Sequence, residues 1–190
     1  VFLYLWNHCY ESIRGEARAQ LIELARRMGT DRVAKQLLHT RRLRRRLLAI
    51  VTLGHLQERS AWNELAVILE ADNAFLSLVT AKALLNIDAQ AAIPLLIPVI
   101  SRRHDWSPLK VVAMFDAVNP GLAAETIAIA ASQAHPQIGA RLIRHLAATQ
   151  SPQGLPPLRA LLQRGTPPDD ILAACLFLVG ECSDPRDVAI

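Results

Sequence analysis

The chain has 190 residues, with 21 Lys+Arg against 17 Asp+Glu and an apolar share of 52%. That length buries a real core, in one domain or two small ones, and that composition excludes a disordered chain. Three cysteines (Cys9, Cys175, Cys182) without a C-x-x-C spacing exclude a disulfide scaffold and favour a reducing compartment.

The chain opens Val1-Phe2-Leu3-Tyr4-Leu5-Trp6, and a six-residue apolar run is too short for a bilayer, which takes ~20 residues. Residues 1–15 admit two readings. One is the stub of a transmembrane helix, with Tyr4 and Trp6 at the interface and arginines following. The other is a capping helix whose apolar face packs on the first repeat. A start at Val1 and a stop inside a repeat lead us to expect a fragment of a longer protein.

From residue 16 onward the chain is periodic. Ile22, Leu53, Leu84, Phe115, Leu146 and Phe177 are each 31 residues apart. The same step generates Ala19, Ile50, Ala81, Val112, Ile143 and Ala174, then Ala34, Leu65, Leu96, Ile127 and Leu158, then Leu38, Leu69, Ile100, Ala131 and Leu162. A fixed period of this kind marks a stacked repeat architecture. Within each period the apolar spacing is helical, as in Leu43, Leu47, Ile50 and Leu53, and alternating β-branched runs are nearly absent. The period therefore predicts two helices of about 12 residues per repeat. First helices are expected near 16–28, 41–55, 73–87, 106–118, 136–148 and 168–181. Second helices are expected near 31–39, 60–71, 90–101, 121–133, 152–164 and from 185 onward. Ser60 and Asn73 are the expected N-caps, Pro94 and Pro156 the expected starts of second helices, and Pro98 an expected kink. The fold class expected is all-α: a right-handed α-solenoid of about six two-helix repeats over 16–190, with the last repeat truncated. The Ile22-to-Phe177 column is its expected first-helix core layer.

Several segments resemble a known family. Ala92-Ile93-Pro94-Leu95-Leu96 and Gly154-Leu155-Pro156-Pro157-Leu158 are similar to the "A-V-P-x-L" start of the second helix in bacterial HEAT repeats. The run Val179-Gly180-Glu181-Cys182-Ser183-Asp184-Pro185-Arg186-Asp187-Val188 resembles the "L-G-x-L-G-D-P-R-A-V" turn of that family, and Leu53-Gly54-His55-Leu56 matches its start. The period is shorter than the ~40–47 residues of HEAT and armadillo repeats, which fits the compact type seen in phycobilin-lyase-like proteins. The resemblance implies a bacterial HEAT-like fold and is not specific for one function.

The charge pattern is the strongest local feature. The net charge is +4, and residues 14–46 concentrate the positive charge, with only Glu16, Glu23 and Asp31 as acids. Arg41, Arg42, Arg44, Arg45 and Arg46 form a candidate surface for an anionic partner: a lipid headgroup, a phosphate backbone or an acidic protein. On a helix Arg41, Arg44 and Arg45 would share a face with Thr52 and His55. The alternative is a solvated helix start paired with Glu58, Glu64 or Asp72. Positive charge at a helix N-terminus opposes the macrodipole, so the cluster is locally unfavourable.

Asp116 stands in a column with Gly54, Leu85, Ala147 and Leu178, where an unpaired carboxylate would be expensive; Arg144 is its candidate partner in a structural ion pair. The six histidines show no H-x-x-x-H or H-E-x-x-H spacing, and no glycine-rich phosphate loop or G-x-S-x-G occurs, so no metal, cofactor or catalytic residue is expected. Trp62, Asp105 and Trp106 raise the thought of a HEAT-like DNA glycosylase, but no matching motif surrounds them. With 5% aromatics and balanced later repeats, nucleic acid is an unlikely partner. In second helices the columns Ala66, Ile97, Ala128, Arg159 and Val67, Pro98, Ile129, Ala160 would suit a protein or peptide partner if they face outward. The expectation is therefore a non-enzymatic protein-interaction scaffold. It would be cytoplasmic, and tethered to the inner face of a membrane if a transmembrane segment precedes residue 1. The alternative is a basic adaptor that docks to an anionic membrane or nucleic acid through Arg41 to Arg46.

Overall fold

The computed structural model describes residues 2–116, 126, 129–131, 133, 135–148, 159 and 169–182. Among them there is no strand. The helices are α1 (Phe2–Ser12), α2 (Glu16–Arg27), α3 (Thr30–Leu38), α4 (Leu43–His55), α5 (Trp62–Leu69), α6 (Ala74–Ile87), α7 (Ala89–Arg102), α8 (Pro108–Asp116), α9 (Pro136–Ala148) and α10 (Asp169–Cys182). The period predicted each of α2 to α10 to within a few residues. The chain divides into two compact units, Val1–Ala92 and Ile93–Ile190, described separately below.

In the first unit the periodic columns are the core. Ile50, Leu53, Ala81 and Leu84 of the first helices are fully buried, as are Ala34, Leu38, Leu65 and Leu69 of the second. Each fully buried Leu contributes roughly 2 kcal/mol. Helix α4 packs against α3 on one side and α6 on another, and α5 packs against α6. The turns are set by local chemistry. Gly29 takes the left-handed conformation (φ 70°) that ends α2 and lets α3 start one residue later. The Asn73 side chain accepts from the Leu76 amide at 2.9 Å, the N-cap that the sequence predicts for α6.

Several expectations fail in instructive ways. Ser60 does not cap α5. Glu58 caps a short 3-10 turn, Arg59–Ala61, by accepting from the Ser60 amide, and α5 begins only at Trp62. Pro94 does not start its helix either. The Asp88 carboxylate accepts from the Ala91 amide at 3.1 Å and begins α7 earlier, so both Pro94 and Pro98 lie inside it.

The larger departure concerns α2. As a first helix it is expected beside α4, but α1 lies there instead. Ala19 is exposed and Ile22 half-buried, whereas Leu3 and Trp6 of α1 are buried. The physical reason is in the two sequences. Helix α2 is largely polar (Glu-Ala-Arg-Ala-Gln-Leu-Ile-Glu), while α1 opens with Phe-Leu-Tyr-Leu-Trp and has more apolar surface to remove from water. From α2, Ala25 is buried against Trp6 and Leu56, and Leu21 and Ile22 pack on the same cluster half-buried.

In the second unit α9 packs against α10 and α8. Phe115, Ala131, Ile143 and Ala174 are buried in register with the period. Gly139 permits a close crossing: a Cβ there would sit 2.7 Å from the Ala131 carbonyl oxygen and 3.2 Å from Ile171 Cδ1. Phe177, expected in the core layer, is instead 54% exposed. Helix α10 packs against α9, and among its described side chains Ile171, Ala174 and Cys175 are buried. The side chains of Asp116 and Arg144 lie outside the described residues, as do Ile127, Leu158, Leu162, Ala128, Ala160 and the second helices expected at 152–164 and from 185, apart from Arg159.

Candidate functional site: an apolar groove with an arginine end

The arginine run does not lie on one helical face. Arg41 is in a bend and Arg42 is the extended N-cap residue of α4 (φ −81°, ψ 103°). The Arg42 carbonyl accepts from the Arg45 and Arg46 amides at 2.9 and 3.1 Å. Only Arg44, Arg45 and Arg46 are helical. Arg41, Arg42, Arg44 and Arg45 are exposed and Arg46 is half-buried, with its Nε shielded from water and lacking an acceptor. Thr52 and His55, expected on the same face, are buried. The face is split because α1 covers its C-terminal half.

The carboxylates that could have neutralised the arginines are engaged elsewhere. Glu58 receives Lys35 at 3.4 Å and also the Ser60 hydroxyl. Burial alone would raise the Glu58 pKa, but the Ser60 hydrogen bond and Lys35 outweigh it and hold the carboxyl below its usual value. Glu64 lies 3.4 Å from His39, and Asp72 has interactions of its own. Among the described residues, no carboxylate forms a salt bridge with Arg41, Arg42, Arg44, Arg45 or Arg46. The first turn of α4 contains no acid.

The joint between α1 and α4 is polar and buried. Asn7 Nδ2 donates to Thr52 Oγ1 at 3.0 Å, and Thr52 Oγ1 donates to the Leu48 carbonyl at 2.8 Å. Asn7 Oδ1 lies 3.1 Å from His55 Nδ1. An amide oxygen only accepts, so that contact assigns the proton of the neutral imidazole to Nδ1. The Tyr10 ring stacks on His55 with centroids 4.1 Å apart, and the Arg18 guanidinium sits over Tyr10 at 4.7 Å. Burial, with Lys82 and Arg18 adding repulsion, pushes the His55 pKa down to about 4. Glu11 lies 4.0 Å from His55 Nε2 but is mostly in water, where an ion pair is weak. No sequence motif marks this cluster beyond a histidine and a threonine three residues apart on an apolar helix.

Beside that joint lies a groove of about 320 Å³. Its floor is Arg44, Leu47, Leu48 and Val51 of α4, one wall is Tyr4, Asn7, His8 and Glu11 of α1, and the other is Phe75 and Val79 of α6. The floor residues follow i, i+3, i+4, i+7 spacing, a single helical stripe. Tyr4 is 67% exposed and Phe75 54%. Arg44 is the first of the four α4 residues that line the groove, and Glu11 is the last of the four from α1. The site was half legible. The arginines were visible as a run, but the groove needs three helices brought together.

The other sequence candidates fall elsewhere. On second helices Val67 is 75% exposed and Pro98 is exposed, whereas Ala66, Ile97, Ile129 and Arg159 are half-buried. Trp106 is buried under Arg103, and Asp105 is held by Arg103 in a bidentate ion pair with both contacts at 2.9 Å. Cys175 is buried, which pushes its thiol up to about 11. Among the described residues no three His, Cys, Asp or Glu side chains converge as a metal site, and no helix is long and apolar enough to cross a membrane. Comparison with protein-family models, with curated proteins and with solved structures finds no match.

Proposed function

We propose that the chain is a non-enzymatic protein-interaction scaffold built on HEAT-like helical repeats, and that α1, α4 and α6 form its binding face. The carrying observation is the groove. It joins exposed aromatic and half-buried aliphatic side chains to a cluster of arginines without carboxylate partners. Exposed apolar surface rimmed by polar groups is where protein partners bind. The 31-residue period, with matching burial in successive helices, supports a right-handed solenoid of about six such repeats. The short even period leaves little room for an inserted catalytic loop, which supports the non-enzymatic reading.

A second reading rests on the arginines alone: a basic surface that docks to an anionic membrane or to nucleic acid. The two are separated by presenting the chain with a display library of helical peptides, with phosphatidylserine vesicles and with duplex DNA, at low and high salt. The scaffold reading expects peptide ligands retained at high salt. The second reading expects vesicle or DNA binding that falls steeply with salt and is lost in an Arg44→Glu, Arg45→Glu double variant.

A further inference from the structure

We infer that the groove takes an amphipathic helix from a partner protein, with that helix's acidic end against Arg44 and its neighbours. The inference rests on the scaffold reading and names the chemistry of its partner. The apolar part is set by Leu47, Leu48 and Val51 on the floor and Phe75 on one wall. These project from helices as ridges one turn apart, and the surface that fits such ridges is another helix with apolar anchors at i, i+3 or i+4, and i+7. Among the described residues there is no strand edge that an extended peptide could join.

The acidic end follows from charge complementarity. Arg44 stands at one end of the groove, with exposed Arg41, Arg42 and Arg45 close in the chain and no carboxylate bridging them. The positive end of the α4 dipole adds to the same field. Glu11 also lines the groove. A bilayer with anionic headgroups throughout would meet Glu11 as well as Arg44, whereas a helix can group its acids against the arginines alone.

The test selects displayed helical peptides of roughly four turns on the intact chain, then measures the enriched peptides on three variants. Phe75→Lys and Phe75→Ala change an exposed side chain, and their helicity is checked by circular dichroism. Arg44→Glu reverses the charge at the groove end. We expect enriched peptides with an apolar i, i+3/i+4, i+7 stripe and Asp or Glu grouped at one end. Binding should fall about tenfold or more on Phe75→Lys and on Arg44→Glu, as for a central interface residue. Replacing the peptide acids by Lys should restore binding to Arg44→Glu. Enriched peptides that lack an acidic end, or that bind the Phe75 variants as tightly as the parent, would overturn the groove assignment and leave the scaffold reading standing. If no peptide is enriched and phosphatidylserine vesicles bind equally with and without Phe75, both this inference and the scaffold reading fall.

Discussion

Helix α4 meets a helix on each flank, and the two seams are built differently. Toward α6 it offers Gly54, whose missing Cβ would sit 2.8 Å from Ala83 Cα and 2.9 Å from its Cβ. That seam is a close approach of backbones, with buried Leu53 and Leu84 beside it. Toward α1 the seam is a hydrogen-bonded network of Asn7, Thr52 and His55, with Tyr10 stacked on the imidazole. The contrast shows two ways of holding a helix against α4. The α6 seam uses a glycine and an alanine that let backbones meet, with apolar side chains beside them. The α1 seam uses polar groups that satisfy one another, at the expense of burying a histidine.

The largest expected effect comes from the α6 flank. Gly54→Leu would drive a side chain into the Ala83 backbone. We expect a loss of about 3 kcal/mol or more in urea unfolding of the chain, at the upper end of overpacking costs. Gly54→Ala would recover part of that through higher helix propensity, leaving a net loss of about 1–2 kcal/mol. A neutral Gly54→Leu would show that this seam is loose.

The α1 flank is tested by acid. The His55 pKa is 6.5 unfolded and about 4 folded, so between those values the unfolded chain binds more protons. The stabilising contribution of the neutral imidazole is complete above pH 6.5 and is lost as pH falls toward 4. The loss amounts to at most about 3 kcal/mol. Urea midpoints at intervals across that window should fall with acid, and a His55→Asn variant should lose that component of the slope. An unchanged slope would mean that His55 is solvated.

Asn7→Ala removes the group that satisfies both His55 and Thr52. We expect a loss of about 2 kcal/mol at neutral pH, the desolvation cost of buried groups left without partners. A change of a few tenths would show that water replaces the amide and that the α1 seam is weak.

The smallest effect has the opposite sign. Arg44→Glu places an acid in the first turn of α4, where it favours the helix dipole, so thermal stability should stay level or rise by about 0.3–1 kcal/mol. Stability gained together with loss of a bound acidic peptide would separate the role of Arg44 in the groove from any role in folding. A marked loss would mean that Arg44 is part of the packing.

Residue types that recur every 31 positions must meet the same surroundings in every repeat, so the column through Leu53, Leu84 and Phe115 identified buried helix faces without any coordinates. The Asn73 cap was equally legible, because capping is a contact between residues three apart. The period failed where its premise fails. At the start of the chain, α2 has the spacing of a first helix but too little apolar surface, and α1 stands beside α4 in its place. On α10, Phe177 keeps the spacing but is exposed, while Ile171, Ala174 and Cys175 are buried.

By itself the sequence determined where the described helices α2 to α10 fall and which residues of α4 and α6 are buried, because these depend on spacing along a single stretch of chain. Only the tertiary structure decided that Asn7 and His55 meet across 48 positions of sequence. The same holds for Arg44, Tyr4 and Phe75, which come to border one groove. No local pattern encodes such meetings, since they follow from which helix gains most by covering the end of α4.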